Sequence, residues 1–280
     1  MQVYTKVEIR QLTVTYARAS EGGCETDEED CCGYGSKRYF PALSLHCPIM
    51  SGVPARGYDL LPLPYYLEKY YWWSYARRGA VRFWDRTWLL NLILYGNFSR
   101  LREAALVALG SGSGRTLQIA CCYGDLTSRL AARVARAGGY LDVIDVLSVQ
   151  LDAVRQKLAA GMPVRPMLMD ASALAIPDRI YDCVLIFFLF HEEPQEYRVK
   201  TIRDALRVAK PHGRIVIVDF AKPRIWHPIR LWLPVLDLLE PFAAALWKKE
   251  LSEIMPEEIA RRRRDRKTYF GGLFQILAGR

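Results

Sequence analysis

Short apolar segments and amphipathic helical segments alternate along residues 111–280, and this alternation constrains the fold more than any other feature of the chain. The apolar segments have the length of strands, and the segments between them repeat apolar residues at helical spacing, as Leu126, Leu130 and Val134 do. Strands that alternate with helices form a parallel sheet with helices on both faces. We therefore predict an α/β fold with strands at 116–121, 140–145, 164–169, 181–190 and 214–219 and helices at 126–137, 150–159 and 196–209, the last closed by Pro211-His212-Gly213.

Two acids follow directly on predicted strands. Asp145 ends the second strand and Asp170 follows the third. Ligands of such sheets bind outside the carboxyl ends of the strands, so Asp145 is placed to accept ribose hydroxyls and Asp170 an adenine amino group. Either acid alone is equally explained as the cap of the next helix. The two together, one strand–helix unit apart, favour a nucleoside site.

The loop after the first strand reads Ala120-Cys-Cys-Tyr-Gly-Asp125 and keeps one glycine, Gly124. A nucleotide-binding loop at this point is usually rich in glycine, because the backbone must approach the ligand closely. Ala120, Cys122 and Tyr123 instead add side chains there. The loop therefore predicts a nucleoside ligand held in an altered pose.

These segments, in this order, resemble the class I S-adenosylmethionine (SAM)-dependent methyltransferases, and among them the quinone C-methyltransferases. Tyr269–Gly279 is similar to their last strand. Residues 71–75, 88–98 and 120–125 more closely resemble the rhodoquinone-biosynthesis branch of that superfamily, and the resemblance covers about residues 60–280. It implies a Rossmann-like, mostly parallel mixed sheet of seven strands, an N-terminal helical lid over 61–110, and an apolar helical insert at 223–262 before the last strand.

The resemblance also implies a reaction, the conversion of ubiquinone to rhodoquinone, in which an amino group replaces a ring methoxy group and SAM is the amino donor. The SAM-binding residues would be Ala120, Cys122, Gly124, Asp145, Asp170 and Ala171. We hypothesise that Ala120, Cys122 and Tyr123 turn the methionine part of SAM so that its amine faces the quinone. Alternatively, Tyr123 points into the helix layer and the usual pose is kept.

This reaction requires proton transfer, and four residues near strand ends are candidates for it: Asp125, His191, Glu192 and Glu193. We expect His191, Tyr123 and Asp125 to be catalytic, since histidine has an ordinary pKa of about 6.5. His191 could instead cap the next helix or stack in the pocket wall. His191 and Glu192 also offer nitrogen and oxygen ligands for Mn²⁺, although adjacent residues rarely all point the same way.

Two apolar segments are candidates for quinone contact. Tyr71, Trp72 and Tyr75 could stack on the ring as a lid, and packing against the sheet explains them equally well. The segment 225–247 is poor in polar residues and offers an apolar face for the isoprenoid tail or a membrane surface; a core insertion is the alternative. The basic run 261–267 would then meet lipid headgroups, or form a solvated helix face.

Composition narrows the remaining possibilities. Residues 1–60 mix glycine, cysteine and an acidic patch without periodicity, which predicts a poorly structured extension. The seven cysteines lack paired CxxC spacing, which argues against zinc and favours a reducing compartment. Aromatic residues are not interleaved with the basic run as in an RNA-binding surface, so no nucleic acid is expected. We expect a cytoplasmic protein bound peripherally to the inner membrane.

Three functions are therefore compatible with the sequence. The first is a ubiquinone-aminating transferase, and the second is a conventional methyltransferase acting on a quinone or another lipid-soluble acceptor. The third is a non-catalytic partner with a SAM-binding fold in a quinone-biosynthesis complex. The sequence does not fix the fate of the SAM carbon skeleton, the tail length or the oligomeric state.

Overall fold

The fold is built on one mixed sheet, in a computed structural model that describes residues 63–71, 78–235, 240–249, 251 and 264–279. The strands are β1 (Arg115–Ile119), β2 (Tyr140–Asp145), β3 (Val164–Leu168), β4 (Tyr181–Phe187), β5 (Ala209–Phe220), β6 (Arg264–Tyr269) and β7 (Phe274–Gly279). Their order across the seven-stranded sheet is β3-β2-β1-β4-β5-β7-β6. The first five strands pair in parallel, and β7 pairs antiparallel with β5 and β6. The predicted α/β fold with a mostly parallel sheet is confirmed.

The helices cover both faces of this sheet. They are α1 (Arg78–Trp84), α2 (Thr87–Ile93), α3 (Phe98–Leu109), α4 (Leu126–Arg136), α5 (Ser148–Lys157), α6 (Gln195–Val208) and α7 (Ala244–Lys248), with a π-helical turn at Leu67–Tyr71 and 3₁₀ turns at Pro228–Leu231 and Phe270–Gly272. Successive strand residues enter opposite cores: Val143 packs in the layer that holds Phe98 and Leu130, whereas Ile144 packs with Ile202. This alternation follows from the two-residue period of a strand and makes β2 apolar throughout its buried length.

Two expectations about local structure are wrong. Residues 209–213 do not close the helix before β5, because Ala209 already pairs with Tyr181 and the next paired residues are Cys183 and Arg214. The extra residues form an irregularity inside a longer strand. The basic run is not a helix face where it is described, since Arg264–Tyr269 is the edge strand β6 paired with β7. Residues 261–263 lie outside the described part of the chain.

The N-terminal extension predicted for residues 1–60 also lies outside the described residues. Within the described residues of the apolar insert, helix is seen at the 3₁₀ turn Pro228–Leu231, at residues 233–235 and 251, and in α7, Ala244–Lys248. None of the described helices is long and apolar enough to cross a bilayer.

Candidate functional site

A cavity of about 440 Å³ opens at the carboxyl ends of the parallel strands. This volume falls in the range of small-molecule sites. Its lining includes nine of the residues predicted to bind or react: Tyr71, Ala120, Cys122, Tyr123, Asp145, Asp170, Ala171, His191 and Glu192. Gly124, Asp125 and Glu193 are not among the lining residues. Trp72 and Tyr75 lie outside the described residues.

Asp145 is fixed where β2 ends. Its Oδ2 accepts a hydrogen bond from the Cys121 backbone N–H at 2.8 Å, and its Oδ1 accepts one from the Leu147 N–H at 2.9 Å. Burial raises the pKa of Asp145 to about 6, although these hydrogen bonds lower it. The carboxylate therefore joins the first loop to the start of α5, whose N-cap residue is Leu147 rather than Asp145.

Asp170 and Ala171 continue this wall of the cavity beyond β3. Oδ1 of Asp170 accepts a hydrogen bond from the Ser172 N–H at 2.7 Å, which folds the chain back in a local turn. Both residues are half-buried and line the cavity. Asp145 and Asp170 are thus brought to one cavity, as a nucleoside site requires.

The first loop combines backbone strain with added side chains. Ala120 has a φ of +66°, in the left-handed region that favours glycine. Such a conformation costs about 1–3 kcal/mol and is typical of functional loops. The Tyr123 ring lines the cavity, while its hydroxyl accepts a hydrogen bond from Gln150 Nε2 on α5 at 3.0 Å. Tyr123 therefore occupies space at the cavity wall that a glycine would leave open.

Gly124 lies behind the cavity, against the N-terminal helices. Its N–H donates to Oδ1 of Asp85 at 2.8 Å, and its carbonyl accepts from Lys157 Nζ at 2.9 Å. Lys157 also pairs with Asp85 at 2.7 Å. At a φ of +81°, a Cβ here would lie 2.8 Å from Leu90 Cδ1. Gly124 is thus required for close packing beneath the loop, and it is not among the residues that line the cavity.

Asp125 is directed away from the cavity by two arginines. Its carboxylate lies 2.5 Å from Arg102 Nη1 and 2.7 Å from Arg129 Nε. Burial opposes the effect, but hydrogen bonds from these guanidinium groups lower the pKa of Asp125. An ionised carboxylate paired with two arginines and absent from the cavity lining is a poor proton carrier, which disfavours the predicted catalytic role of Asp125.

His191 is paired with an acid that the sequence analysis did not select. Its Nδ1 lies 3.2 Å from Oδ1 of Asp219, the fully buried acid near the end of β5. Burial lowers the pKa of His191, but the charge of Asp219, with smaller effects from Glu192 and Glu240, raises it to about 9. The Asp219 carboxylate therefore favours the protonated, imidazolium form of His191. Asp219 could have been predicted as a site residue from its position at the end of the fifth predicted strand.

The surroundings of His191 hold it in place. Asp219 accepts backbone hydrogen bonds from Phe190 and from Phe220, each at 2.8 Å. The rings of Phe188 and Phe220 meet the imidazole edge-on, at centroid distances of 5.7 and 5.1 Å. These contacts fix an acid–base group at one wall of the cavity.

A manganese site does not fit these residues. His191 Nε2 and Glu192 Oε1 lie 3.6 Å apart, and among the described residues no three His, Cys, Asp or Glu side chains gather as metal ligands. Glu193 turns into the protein, where it accepts a hydrogen bond from Thr201 at 2.8 Å and burial raises its pKa to about 8. The three consecutive side chains therefore do not converge.

The opposite wall is aromatic. Tyr71 lines the cavity and donates its hydroxyl proton to Glu240 at 2.8 Å. Tyr66 lines it too and packs edge-on against Tyr197 and Phe242. Glu240 has no distinguishing pattern in the sequence, because it stands inside an apolar insert. Tyr71 thus both packs and borders the cavity, so the two interpretations of it are compatible.

Comparison with known proteins agrees with this fold. Residues 116–213 match the family model described as a methyltransferase domain. The ubiquinone/menaquinone biosynthesis C-methyltransferase UbiE of Pseudomonas putida is 35% identical over 140 residues, which is 48% of this chain and 54% of that protein. The same enzyme of Pseudomonas aeruginosa is 34% identical over an equal span. The chain thus spans about half the length of these curated relatives.

A solved structure, human N-acetylserotonin methyltransferase in complex with SAM, is 16% identical with a TM-score of 0.51, over 78% of this chain and 60% of that one. This similarity supports the fold alone. The chain thus contains a region, residues 116–213, that matches a methyltransferase domain, within a fold similar to that of a solved methyltransferase. Asp145, Asp170 and the 120–123 loop all border the cavity.

Proposed function

We propose that the protein aminates ubiquinone, replacing a ring methoxy group with the amino group of SAM. The observation that supports this most directly is the His191–Asp219 pair at one wall of a cavity whose first loop carries Tyr123. Replacement of a methoxy group needs an acid for the departing methoxide, whereas methylation of a ring carbon needs only a base to remove the ring proton. A fixed imidazolium suits the first reaction better.

The proposed reaction balances without an external oxidant. The amine nitrogen bonds to the methoxy-bearing carbon, and the carbon–oxygen bond breaks to release methanol. The quinone then takes two electrons from the adjacent Cα–H bond as a carbon–nitrogen double bond forms. Water hydrolyses that bond, leaving an aminoquinol and the 2-oxo acid of the co-substrate.

Each step of this reaction is assigned to residues that line the cavity. His191 donates a proton to the leaving methoxide and polarises the quinone carbonyl. The carboxylates of Glu192 and Glu240, which line the same cavity, accept the proton of the ammonium group. Asp145 and Asp170 hold the nucleoside, and the loop at Ala120, Cys122 and Tyr123 sets the direction of the amine.

Mass spectrometry tests the proposal. Purified protein is incubated with a short-tailed ubiquinone and SAM labelled with ¹⁵N at the amine, and in parallel with SAM labelled with ¹³C at the methyl. We expect ¹⁵N in the quinone product and release of methanol. A ¹³C-methylated quinone would contradict amination. His191→Gln should abolish product while SAM still binds; His212→Gln, an exposed histidine, is the matched control.

The second candidate is conventional methylation of a quinone ring. The curated relatives are named as C-methyltransferases of ubiquinone and menaquinone biosynthesis, and this favours it. It predicts S-adenosylhomocysteine as co-product. A non-catalytic role is the remaining candidate, and it would leave cellular function intact in His191→Gln and in Asp145→Asn. For each candidate we propose ubiquinone as partner and a cytoplasmic location at the inner membrane.

A further inference from the structure

Two distant segments expose large apolar side chains. The first is α2 and the turn after it, with Trp88, Leu92, Ile93 and Tyr95; the second surrounds the 3₁₀ turn, with Ile225, Trp226, Leu231 and Trp232. Ile225 is 86% exposed, Leu231 84% and Trp88 60%. We call these eight residues the apolar rim. Contiguous exposed surface of this kind marks an interaction site in a soluble fold.

The two segments meet through Phe270. Tyr95 stacks on the Phe270 ring at a centroid distance of 5.4 Å, and His227 contacts the other part of that ring at 5.0 Å. The Arg224 backbone N–H donates to the Gly271 carbonyl at 3.0 Å, which ties the second segment to the same turn. The apolar rim is therefore one surface assembled from residues more than a hundred positions apart.

The apolar rim borders the mouth of the cavity. Ile93 and Tyr95 are exposed and also line the cavity. Leu90, Leu273 and Trp247 continue the lining inward. An apolar chain can thus pass from the apolar rim to the reacting groups along hydrophobic side chains.

The charged residues within the two segments of the apolar rim are all basic. Residues 86–100 contain Arg86 and Arg100 and no acid, and residues 220–235 contain Lys222, Arg224 and Arg230 and no acid. The Arg224 guanidinium lies 5.7 Å over the Trp226 ring. Exposed tryptophans flanked by basic side chains match the interface of an anionic bilayer, where the rings sit at headgroup depth.

We infer that the apolar rim docks on an anionic lipid bilayer, so that the quinone tail enters the cavity directly from the membrane. The bilayer contact itself does not depend on the proposed function; only the passage of the tail does. The charge complementarity favours lipid over an apolar protein partner.

Vesicle flotation tests the inference with matched variants. The rim variant carries Ile225→Ser, Trp226→Ser, Leu231→Ser and Trp232→Ser. The control carries Val107→Ser and Tyr140→Ser, which remove apolar side chains of 71% and 57% exposure far from the cavity. Wild type and control should float with phosphatidylglycerol–phosphatidylcholine vesicles, and the rim variant at least tenfold less. Circular dichroism should show all three folded.

A variant without two of the arginines separates the electrostatic from the apolar contribution to vesicle binding. Arg224→Gln with Arg230→Gln should weaken binding to anionic vesicles roughly fivefold per charge and leave binding to phosphatidylcholine unchanged. Equal flotation of rim variant and wild type would overturn the inference. So would a wild type that stays in solution, or one whose rim mediates only self-association without lipid.

Turnover distinguishes failure of the inference from failure of the proposed function. The rim variant should keep turnover of a water-soluble short-tailed quinone and lose turnover of a long-tailed quinone in vesicles. If wild type turns over no quinone, the proposed function fails while the flotation result still decides the docking surface. If a folded rim variant turned over neither the short-tailed nor the long-tailed quinone, the inference that the tail enters the cavity from the membrane would be overturned.

Discussion

Replacement of Asp219 by asparagine should remove the positive charge of His191 at neutral pH. Asp219 is fully buried with its Oδ1 3.2 Å from His191 Nδ1, and it is the main cause of the raised pKa of about 9. Without this charge, burial dominates and the pKa should fall to about 6.5 or lower. A fall of that size corresponds to about 3 kcal/mol of interaction at about 1.36 kcal/mol per pKa unit.

Nuclear magnetic resonance of ring-labelled histidine measures this pKa, and the chain has only four histidines to assign. The Asp219 pair should also make stability depend on pH. The imidazole loses its proton near pH 6.5 in the unfolded chain and near pH 9 in the folded protein. The contribution of the pair to the free energy of unfolding is therefore complete below pH 6.5 and disappears as pH rises through about 9. A pKa of His191 that is near 6.5 in wild type, or unchanged in Asp219→Asn, would refute the reasoning.

Three further predictions concern the first loop and the acid beside it. Asp145→Asn leaves one buried backbone N–H without a good acceptor, so the free energy of unfolding should fall by about 1–3 kcal/mol in a denaturant titration. SAM binding measured by calorimetry should be at least tenfold weaker. In wild type, SAM affinity should weaken as pH falls through about 6, because Asp145 becomes protonated. Gly124→Ala must clash with Leu90 at positive φ and should cost about 2 kcal/mol or more, whereas Gly161→Ala, with open space around it, should cost about 1 kcal/mol. Tyr123→Gly should shift product from aminated to methylated quinone by mass spectrometry, and an unchanged product ratio would contradict the role given to its side chain.

Much of the fold could be predicted from the local spacing of apolar residues. The second strand was predicted with its observed bounds, Tyr140–Asp145, and α4 and α6 to within one residue at each end. These elements are predictable because their apolar spacing matches the period of a strand or helix. The full length of β5 was not predicted, because its register with β4 jumps from Ala209 to Arg214 and the intervening Pro211 and Gly213 are typical of turns.

The candidate site divides in the same way. Asp145 and Asp170 could be selected because each ends or follows a strand, and parallel strands bring their carboxyl ends to one edge. Asp125 sits at an equivalent position, yet Arg102 from another helix draws its carboxylate away. Strand ends fix where a backbone arrives, but long-range charge decides where a side chain points.

Local sequence pattern was enough to predict the order of strands and helices, the altered loop and the two acids of the candidate nucleoside site. Packing between remote segments placed His191 beside Asp219 and Tyr71 beside Glu240, and it brought Tyr95 and His227 against the same ring, Phe270. The physical reason is that secondary structure depends on residues a few positions apart, whose spacing can be read directly. A proton-transfer pair or a docking surface depends on packing between remote segments, and no local pattern encodes it.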